Sequence, residues 1–292
     1  MKKESLQKLE GAHDGVVIAD PDLFEGKVER LRELGMGSLH IVADFDRTLT
    51  SSTRADGGVN TSLSTLWLFM PEEYGRRAKE LFDTYRPIEV DLHMDAATKT
   101  KHMETWVRAW QQNCIELGFS RDVVKKIAQS GLLLPRPGMD TFMRLARKHE
   151  VPVLIFSAGL GDLIAEYLKF HGVHSNNVHI ISNFAKFGES GRCVGWDKDI
   201  VTSMTKNESH AHHEAWAGKV LKRPNVLLLG DHEGDVHMVD GEKHGVVLSV
   251  GYLNGEQGHL DRHKEIFDAV VTGDVGLDFP TSILKKASAV RR

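Results

Sequence analysis

The stretch "LHIVADFDRTLTSS", from Leu39 to Ser52, decides the fold. It begins as a short apolar run with β-branched residues between Gly37 and Asp44, which is typical of a buried strand in a parallel sheet. Two carboxylates, Asp44 and Asp46, stand at the end of that run. Neighbouring carboxylates raise each other's pKa unless something neutralises them. The stretch therefore predicts either a pair of turn or helix-capping aspartates or a cation site.

Other apolar runs farther along the chain predict the rest of the sheet. They are Val151–Ser157, Val178–Ser182, Asn225–Asp231 and Gly245–Gly251. Helical patterns precede and separate them, at Asp20–Leu34, Met139–His149, Asp162–His171 and His212–Leu221. Strands that alternate with helices indicate an α/β fold with a parallel sheet. In such folds the functional residues lie just outside the carboxyl ends of the strands.

The sequence changes character between residues 54 and 131, where amphipathic helices replace the buried-strand runs. One helix is predicted from Pro71 to just before Pro87, a second from Thr98 to Gly118, and a third after Ser120 as N-cap. We interpret residues 54–131 as a helical cap that determines substrate specificity, inserted into an α/β catalytic core of residues 1–53 and 132–292. A β-hairpin is predicted at Phe184–Trp196 around a Gly-Glu-Ser-Gly turn.

Polar residues at the predicted strand ends are the candidates for chemistry. A hard divalent cation with oxygen ligands would offset the first carboxylate pair, after which one carboxylate can attack phosphorus and the other can protonate the leaving oxygen. Ser157 ends a strand and opens a helix, where its hydroxyl and nearby N–H groups can bind an anion or simply cap the helix. Asp231 and Asp235 stand across a glycine-containing turn, so one can reach a metal while the other supports it, or both serve only the turn.

A positively charged residue is also needed to offset a nucleophilic carboxylate and a phosphate together. Lys198 and Lys206 are the candidates, and either could instead be a solvated surface residue. Taken in order, the DxDxT pattern, the serine, a lysine and the GDxxGD pattern resemble the haloacid dehalogenase superfamily of aspartate-nucleophile phosphohydrolases. The resemblance extends from about Leu39 to Leu253.

Further segments make the chain similar to the cytosolic pyrimidine 5′-nucleotidase family. They are Pro87–Asp91, Val151–Asp162, His174–Phe184, Thr205–Glu208, Asn225–Gly241 and Val250–Asn254. The resemblance implies a haloacid-dehalogenase-like Rossmannoid core with a parallel sheet and an inserted helical cap domain. It also implies Mg²⁺ as the cofactor.

The resemblance assigns a role to each matching residue of the core. Asp44 is the nucleophile, and Asp46 is the general acid and base, which also reaches Mg²⁺ through its backbone carbonyl. Asp231 is the third magnesium ligand and Asp235 is the supporting acid. Thr48 is expected to support the loop through its hydroxyl.

The resemblance also implies the contacts with the substrate. Ser157 and Ala158 match phosphate-loop positions, and Lys206, rather than Lys198, matches the family's lysine. Glu89 matches a cap glutamate that contacts the nucleotide base, where a carboxylate can accept from the exocyclic amine of cytosine. The alternative for Glu89 is a surface residue at a helix end.

Several residues depart from the pattern of the family. Trp106 matches a cap tryptophan, but Trp110 and Gln111 stand where relatives carry smaller or different residues, so the base pocket is expected to have another shape, with Trp110 in contact with the base. His232 replaces a usual serine and is expected to be a solvent-facing loop residue. The resemblance gives Arg47 no role.

The expected activity is Mg²⁺-dependent hydrolysis of nucleoside 5′-monophosphates, pyrimidines preferred, through an aspartyl phosphate, with phosphotransfer to a nucleoside as a side activity. Two alternatives stay open. One is a phosphatase of the same superfamily for another small phosphomonoester, such as phosphoserine. The other is a non-catalytic phosphate-binding or regulatory protein, which would most naturally have lost Asp44 or Asp46.

Composition sets broader limits on what the chain can be. It has 292 residues, 41% hydrophobic and 27% charged, with a net charge of −4, and it has no basic stripe of the kind that binds nucleic acid. No run approaches the roughly 18 apolar residues of a membrane span, and residues 1–15 lack the apolar run of a secretory signal. We therefore expect a cytoplasmic monomer whose partner is a small-molecule substrate, without nucleic acid or membrane partners.

Cysteines and histidines suggest no further site. The two cysteines do not form a disulfide framework, and Cys114 is expected to be a small buried hydrophobic residue. His210, His212 and His213 could bind Zn²⁺, but no acidic or cysteine partner is spaced to complete a site. A solvated helix start is the expected role of this histidine cluster.

Overall fold

The structure, a computed structural model, describes residues 15–91, 93–255 and 259–289. The prediction about a secretory signal concerns residues 1–15, which lie almost entirely outside the described residues. Seven strands form one sheet in the order β1-β9-β8-β7-β2-β3-β4, and β5 and β6 form a separate hairpin. The strands are β1 (Val16–Ile18), β2 (Leu39–Asp44), β3 (Val153–Leu160), β4 (Val178–Asn183), β5 (Ala185–Phe187), β6 (Cys193–Trp196), β7 (Asn225–Gly230), β8 (Val246–Leu253) and β9 (Ala269–Thr272).

Helices surround this sheet and fill the segment between β2 and β3. They are α1 (Pro21–Leu34), α2 (Ser62–Leu66), α3 (Glu72–Val90), α4 (Ala96–Glu116), α5 (Arg121–Gln129), α6 (Met139–Lys148), α7 (Gly161–Phe170), α8 (Ala217–Val220), α9 (Leu260–Ile266) and α10 (Asp278–Ser288). Short 3₁₀ segments occur at Met36–Ser38, Glu208–His213 and Glu233–Val239. No helix within the described ranges is both long and apolar enough to cross a membrane.

The sheet is parallel except at β1, which pairs antiparallel with β9. β2 lies at its centre, paired with β7 on one side and β3 on the other. In the register, Asp44 is opposite Phe156, and Ala43 is opposite Leu229. The carboxyl ends of β2, β3 and β7 therefore meet at one edge of the sheet, as the sequence predicts.

Helix α1 shows how the local sequence sets an element that lies against β8 of the sheet. Asp20 is the N-cap and accepts a hydrogen bond from Leu23 N at 3.0 Å, Pro21 begins the helix, and Gly35 ends it with a φ of 71°. Phe24 lies on the buried face, which packs on the sheet. The predicted helix at Asp20–Leu34 is thus confirmed to within one residue.

The segment between residues 54 and 131 is helical, as predicted, but α3 does not end before Pro87. It continues to Val90 with the proline inside its last turns. A proline removes one backbone hydrogen bond, yet α3 lies along α4, where Arg77 donates to Asn113 and Glu116. Packing therefore overrides the local signal. The division into core and cap at residues 53/54 and 131/132 stays a prediction.

The hairpin predicted at Phe184–Trp196 is confirmed by the antiparallel pairing of β5 with β6. Trp196 packs edge-on against Trp110 of α4, with ring centroids 4.9 Å apart, so the hairpin holds one end of the helical segment. Both cysteines are free and buried, which confirms the expectation for Cys114.

The helix predicted at His212–Leu221 is wrong. That stretch divides into the end of a 3₁₀ segment, an extended Glu214 and the four-residue α8. The buried residues Ala211 and Ala217 are six positions apart, a spacing that one continuous helix would not place on a single face.

Candidate active site

The turn that follows β2 places two carboxylates at the edge of the sheet. It is closed on the carbonyl oxygen of Phe45, which accepts from Leu49 N at 3.0 Å and from Thr50 N at 3.1 Å. Arg47 has a φ of 64° and donates its N–H to Thr50 Oγ1 at 2.7 Å. The supporting hydroxyl is therefore that of Thr50. The expectation for Thr48 is wrong, since its buried Oγ1 has no hydrogen-bond partner among the described residues.

A fully buried arginine, Arg136, binds the backbone of the same turn. Its guanidinium donates to the carbonyl oxygens of Arg47 and Thr48 and, on the other side, to the carbonyl of Val275. It also lies 4.1 Å from the centroid of the Tyr252 ring. Sequence reasoning missed this residue because nothing in a sequence distinguishes a buried arginine from a surface one.

Lys206 forms the centre of the site. Its Nζ lies 2.5 Å from Asp44 Oδ1 and 2.6 Å from Asp235 Oδ1, and the exposed side-chain fractions of the three residues are 10%, 7% and 0%. Burial disfavours the ammonium, but Asp235 and Asp44 outweigh it and raise the pKa of Lys206. Lys198 is exposed, so the structure places Lys206, and not Lys198, among the carboxylates.

Asp44, Asp231 and Asp235 form a compact acidic group, with one carboxylate oxygen from each within 4.8 Å of the others. Asp235 Oδ2 accepts from the N–H groups of Asp231 and His232, both at 2.9 Å, and so fixes the turn after β7. Burial raises the pKa of Asp44 well above its usual value, against the attraction of Lys206. Three carboxylates beside a single ammonium leave negative charge that a divalent cation with oxygen ligands would offset.

Arg47 reaches the same group, which the sequence could not show. Its Nε lies 3.6 Å from Asp231 Oδ2. Burial and the neighbouring Asp235 raise the pKa of Asp231 to about 7, while Arg47 and Lys206 oppose the shift. The arginine therefore offsets part of the charge at this strand end.

Asp46 is held apart from the acidic group. Its carboxylate accepts from Ser62 N and from Ser62 Oγ, both at 2.7 Å. Burial raises the pKa of Asp46 to about 6, and the two hydrogen bonds from Ser62 oppose the shift. A carboxyl with this pKa can both donate and accept a proton near neutral pH. Sequence reasoning missed Ser62, because the neighbouring Thr61 and Ser64 form a capping box that indicates a helix start but not the carboxylate that Ser62 faces.

Ser157 lies inside β3 and not at its end, which corrects the prediction. The ladder with β4 loses its register between Phe156 and Leu160, and α7 begins only at Gly161. Ser157 and Ala158 line the cavity at this irregularity, without a helix N-terminus at Ser157. Gly159 is required there, because a Cβ would lie 2.5 Å from Ser62 Oγ.

One cavity of about 670 Å³ joins these residues to the helical segment. Its walls include both base-recognition candidates, Glu89 and Trp110, and the side chain of His232. Glu89 Oε2 accepts from Arg86 Nη1 at 2.5 Å, and Trp106 stacks on Tyr85 with ring centroids 5.9 Å apart. Other aromatic side chains of the helical segment that line the cavity are Trp67, Tyr74 and Phe82. The volume is that of a small-molecule site.

The expectations for the histidines are met in part. His232 is exposed, as expected, but it faces the cavity, and its Nδ1 accepts from Gly234 N at 3.1 Å. His212 and His213 are exposed on the 3₁₀ segment, and His212 Nε2 lies 2.9 Å from Glu242 Oε1. His210 is half-buried.

Comparisons with known proteins show which family this chain resembles. The model of the pyrimidine 5′-nucleotidase family (UMPH-1) matches residues 48–288. The 7-methylguanosine phosphate-specific 5′-nucleotidase of Homo sapiens is 30% identical over 92% of this chain and 91% of its own length. The 7-methylguanosine phosphate-specific 5′-nucleotidase A of Xenopus laevis is 29% identical over 94% of this chain and 97% of its own length.

Solved structures give the same picture of the fold. Cytosolic 5′-nucleotidase IIIB bound to cytidine superposes with a TM-score of 0.88 at 26% identity, covering 97% of this chain and 96% of that one. A phosphoserine phosphohydrolase-like protein from Francisella tularensis has a TM-score of 0.51 at 13% identity, covering 84% and 99%. These likenesses confirm the predicted fold class, a haloacid-dehalogenase-like α/β core with a mainly parallel sheet.

Replacing Asp231 by asparagine should stabilise the metal-free protein at pH 8 by about 1 kcal/mol or more and have little effect at pH 4. The carboxyls of Asp231 and Asp46, with pKa values raised to about 7 and 6, bind protons more tightly in the folded chain than in the unfolded chain. Their contribution is complete below pH ~4 and is lost as the pH rises through these values. Asp231→Asn removes the part of this loss of stability that comes from ionisation of Asp231.

Urea denaturation with a chelator present, at both pH values, measures the effect. Asp240→Asn is the matched control, because Asp240 is exposed and directly follows the 3₁₀ segment Glu233–Val239, which begins two residues after Asp231. An equal change in the free energy of unfolding at pH 4 and pH 8 would show that burial does not raise the pKa of Asp231.

Proposed function

The chain belongs to the pyrimidine 5′-nucleotidase family, and on this premise we propose that it is a Mg²⁺-dependent hydrolase that releases phosphate from nucleoside 5′-monophosphates. The observation that carries the proposal is a single cavity lined by Asp44, Lys206 and Asp231 on one side and by aromatic side chains on the other. Its relatives are named 5′-nucleotidases, which supports a hydrolase of this class.

Asp44 attacks phosphorus in the first step of the proposed reaction. Lys206 holds Oδ1 of this carboxylate, which leaves Oδ2 to form the bond to phosphorus while the bond from phosphorus to the 5′-oxygen breaks. Asp46 gives its proton to that oxygen, and the nucleoside leaves. The pKa of about 6 lets Asp46 be protonated in part of the population near neutral pH.

Water completes the cycle in the second step. The carboxylate of Asp46 takes a proton from the water, whose oxygen attacks phosphorus, and the bond between phosphorus and Asp44 breaks. Phosphate leaves, and Asp46 is again protonated. A nucleoside hydroxyl in place of water would accept the phosphoryl group, which is the expected phosphotransfer. Ser62 keeps Asp46 pointed at the site through both steps.

The donor set fits the implied magnesium ion. Asp44 and Asp231 would hold it, with the backbone carbonyl of Asp46 as the further ligand, and Asp235 supports the turn and Lys206. A bound Mg²⁺ would neutralise the carboxylates and the phosphate oxygens during transfer. The phosphate itself would contact Lys206 and the irregular backbone at Ser157 and Ala158, which line the cavity.

Base preference has two candidates. Pyrimidines are supported by the description of the family and by the cytidine in the related solved structure. 7-Methylguanosine monophosphate is supported by the names of the relatives. A methylated guanine carries positive charge, which the faces of aromatic side chains attract, and Glu89 could bind its amino edge. Phosphoserine has no apolar group to cover this aromatic wall.

The expected location and assembly stay predictions of this proposal. They are a cytoplasmic, monomeric enzyme that acts on a small nucleotide without nucleic acid or membrane partners.

Phosphate release with Mg²⁺ from cytidine, uridine, 7-methylguanosine and adenosine monophosphates, with phosphoserine alongside, tests the proposal. At least one nucleotide should be hydrolysed much faster than phosphoserine. Asp44→Asn should lose about a thousandfold or more of kcat, because the nucleophile is gone. Asp261→Asn, at a fully exposed site, is the control. Retained activity in Asp44→Asn, or phosphoserine as the best substrate, would overturn the proposal.

Glu89→Ala should raise KM for the preferred nucleotide by about 10- to 100-fold, since a hydrogen bond to a charged group is lost. KM for p-nitrophenyl phosphate, which has no base, should change little. Glu80→Ala is the matched control, because Glu80 lies on the same helix and is exposed. Equal increases for both substrates would mean that Glu89 supports the cap and does not read the base.

A further inference from the structure

A second group of metal-type ligands lies at the other end of β2. It consists of His40, Glu208 and His244, called here the His–Glu–His cluster, with one donor atom from each within 4.8 Å of the others. His40 is the second residue of β2, and Asp44 is the last, about 13 Å farther along the strand. The cluster is therefore separate from the candidate active site, and nothing in the proposed reaction uses it.

The contacts of the cluster are short and buried. His40 Nε2 lies 2.7 Å from Glu208 Oε1, and His244 Nε2 lies 2.9 Å from Glu208 Oε2. The exposed side-chain fraction is 0% for His40 and Glu208 and 9% for His244. His40 Nδ1 lies 2.9 Å from the carbonyl oxygen of Arg223, and His244 Nε2 lies 3.0 Å from that of Val239.

These contacts place lone pairs against each other. A carbonyl can only accept, so Nδ1 of His40 carries the proton that Arg223 O receives. Nε2 of the neutral ring then faces a carboxylate oxygen with no proton of its own. His244 Nδ1 is buried and has no hydrogen-bond partner among the described residues, and the one proton on its Nε2 faces two acceptors, Glu208 Oε2 and the carbonyl oxygen of Val239. The acceptors that meet at the carboxylate, His40 Nε2 and the two oxygens of Glu208, therefore need a further cation, either an extra proton or a metal ion.

We propose that His40, Glu208 and His244 bind a structural Zn²⁺ ion, with the carbonyl oxygen of Val239 as the candidate fourth ligand. Two imidazoles and one carboxylate are a zinc donor set, and imidazole does not suit Mg²⁺ or Ca²⁺. His40 already has the arrangement in which one ring nitrogen donates to a backbone carbonyl and directs the other at the metal.

The distances require a small rearrangement on binding. A tetrahedral zinc ion with bonds of about 2.0–2.1 Å separates its ligand atoms by about 3.3 Å. The nitrogen–oxygen contacts of 2.7 and 2.9 Å would open by about half an ångström. His244 would bind through Nε2 after the proton that faces Val239 O moves to Nδ1, the ring nitrogen without a partner among the described residues.

A metal here would join three distant parts of the chain. His40 is the second residue of the central strand, Glu208 follows the site lysine Lys206 by two residues, and His244 precedes β8. The ion would therefore fix the segment that carries Lys206 without touching the substrate. Its effect should be on stability, and the proposal does not depend on which nucleotide is hydrolysed.

Metal content and Co²⁺ spectra of the full chain test the proposal. The protein is stripped with a chelator, saturated with Mg²⁺ to occupy the oxygen-ligand site, dialysed against Zn²⁺ and analysed for bound zinc. Wild type and Asp44→Asn should each retain one zinc per chain, and zinc should raise Tm in both. Co²⁺ in its place should give the visible absorption of a tetrahedral site with nitrogen ligands.

Variants locate the ion. His244→Gln, at the rim of the cluster, should weaken zinc binding at least a hundredfold and abolish the rise in Tm. His212→Gln is the matched control, because this exposed histidine also faces a glutamate, Glu242. His40→Gln should behave as His244→Gln does, and the unaltered chain carries the test if either variant fails to fold.

Two results would overturn the proposal. One is a Mg²⁺-saturated wild type that retains no zinc, which would mean that the cluster holds a proton instead. The other is zinc that survives His244→Gln and disappears in Asp44→Asn, which would place it in the oxygen-ligand site.

Discussion

The ammonium of Lys206, held between Asp44 and Asp235, is the interaction on which the rest of the site depends. Burying a carboxylate is costly unless it is paired, and two buried carboxylates, Asp44 and Asp235, meet the half-buried Asp231 at this edge of the sheet. The single positive charge of the lysine offsets one of the three carboxylates, and a divalent cation would offset the negative charge that remains beside Arg47. Removing the lysine would leave uncompensated buried charge, which is far more harmful than losing a surface ion pair.

The same constraint explains the division of tasks across the cavity. The core side supplies fixed charges. They are positioned rigidly by strands β2 and β7 and by the segment at Lys206. The helical segment supplies a wall of aromatic rings with one carboxylate, Glu89, already paired with Arg86. Electrostatic stabilisation of phosphoryl transfer depends on fixed groups, whereas recognition of a base needs apolar area and one or two polar contacts.

The sequence predicts the core side of the cavity well and the helical side poorly. Asp44 and Asp231 follow buried strand runs, and a parallel sheet brings such strand ends together whatever lies between them. Arg136 and Ser62 could not be predicted, because each acts on a residue far away in the chain through contacts that leave no local pattern. The same holds for α3, where packing against α4 carries the helix past Pro87. Ser157 lines the cavity from inside β3 and not from a strand end, and the register shift that places it there has no sequence signal of its own.

Trapping the phosphorylated protein tests the central claim, a covalent bond between phosphorus and Asp44, most directly. With ³²P-labelled p-nitrophenyl phosphate the leaving group needs no acid, so Asp46→Asn should complete the first step and stall before the second. We expect one equivalent of p-nitrophenol in a burst and acid-stable, hydroxylamine-labile label on the peptide that contains Asp44, absent from the Asp44→Asn, Asp46→Asn double variant. Phosphate release without protein-bound label, or label on another residue, would contradict the account.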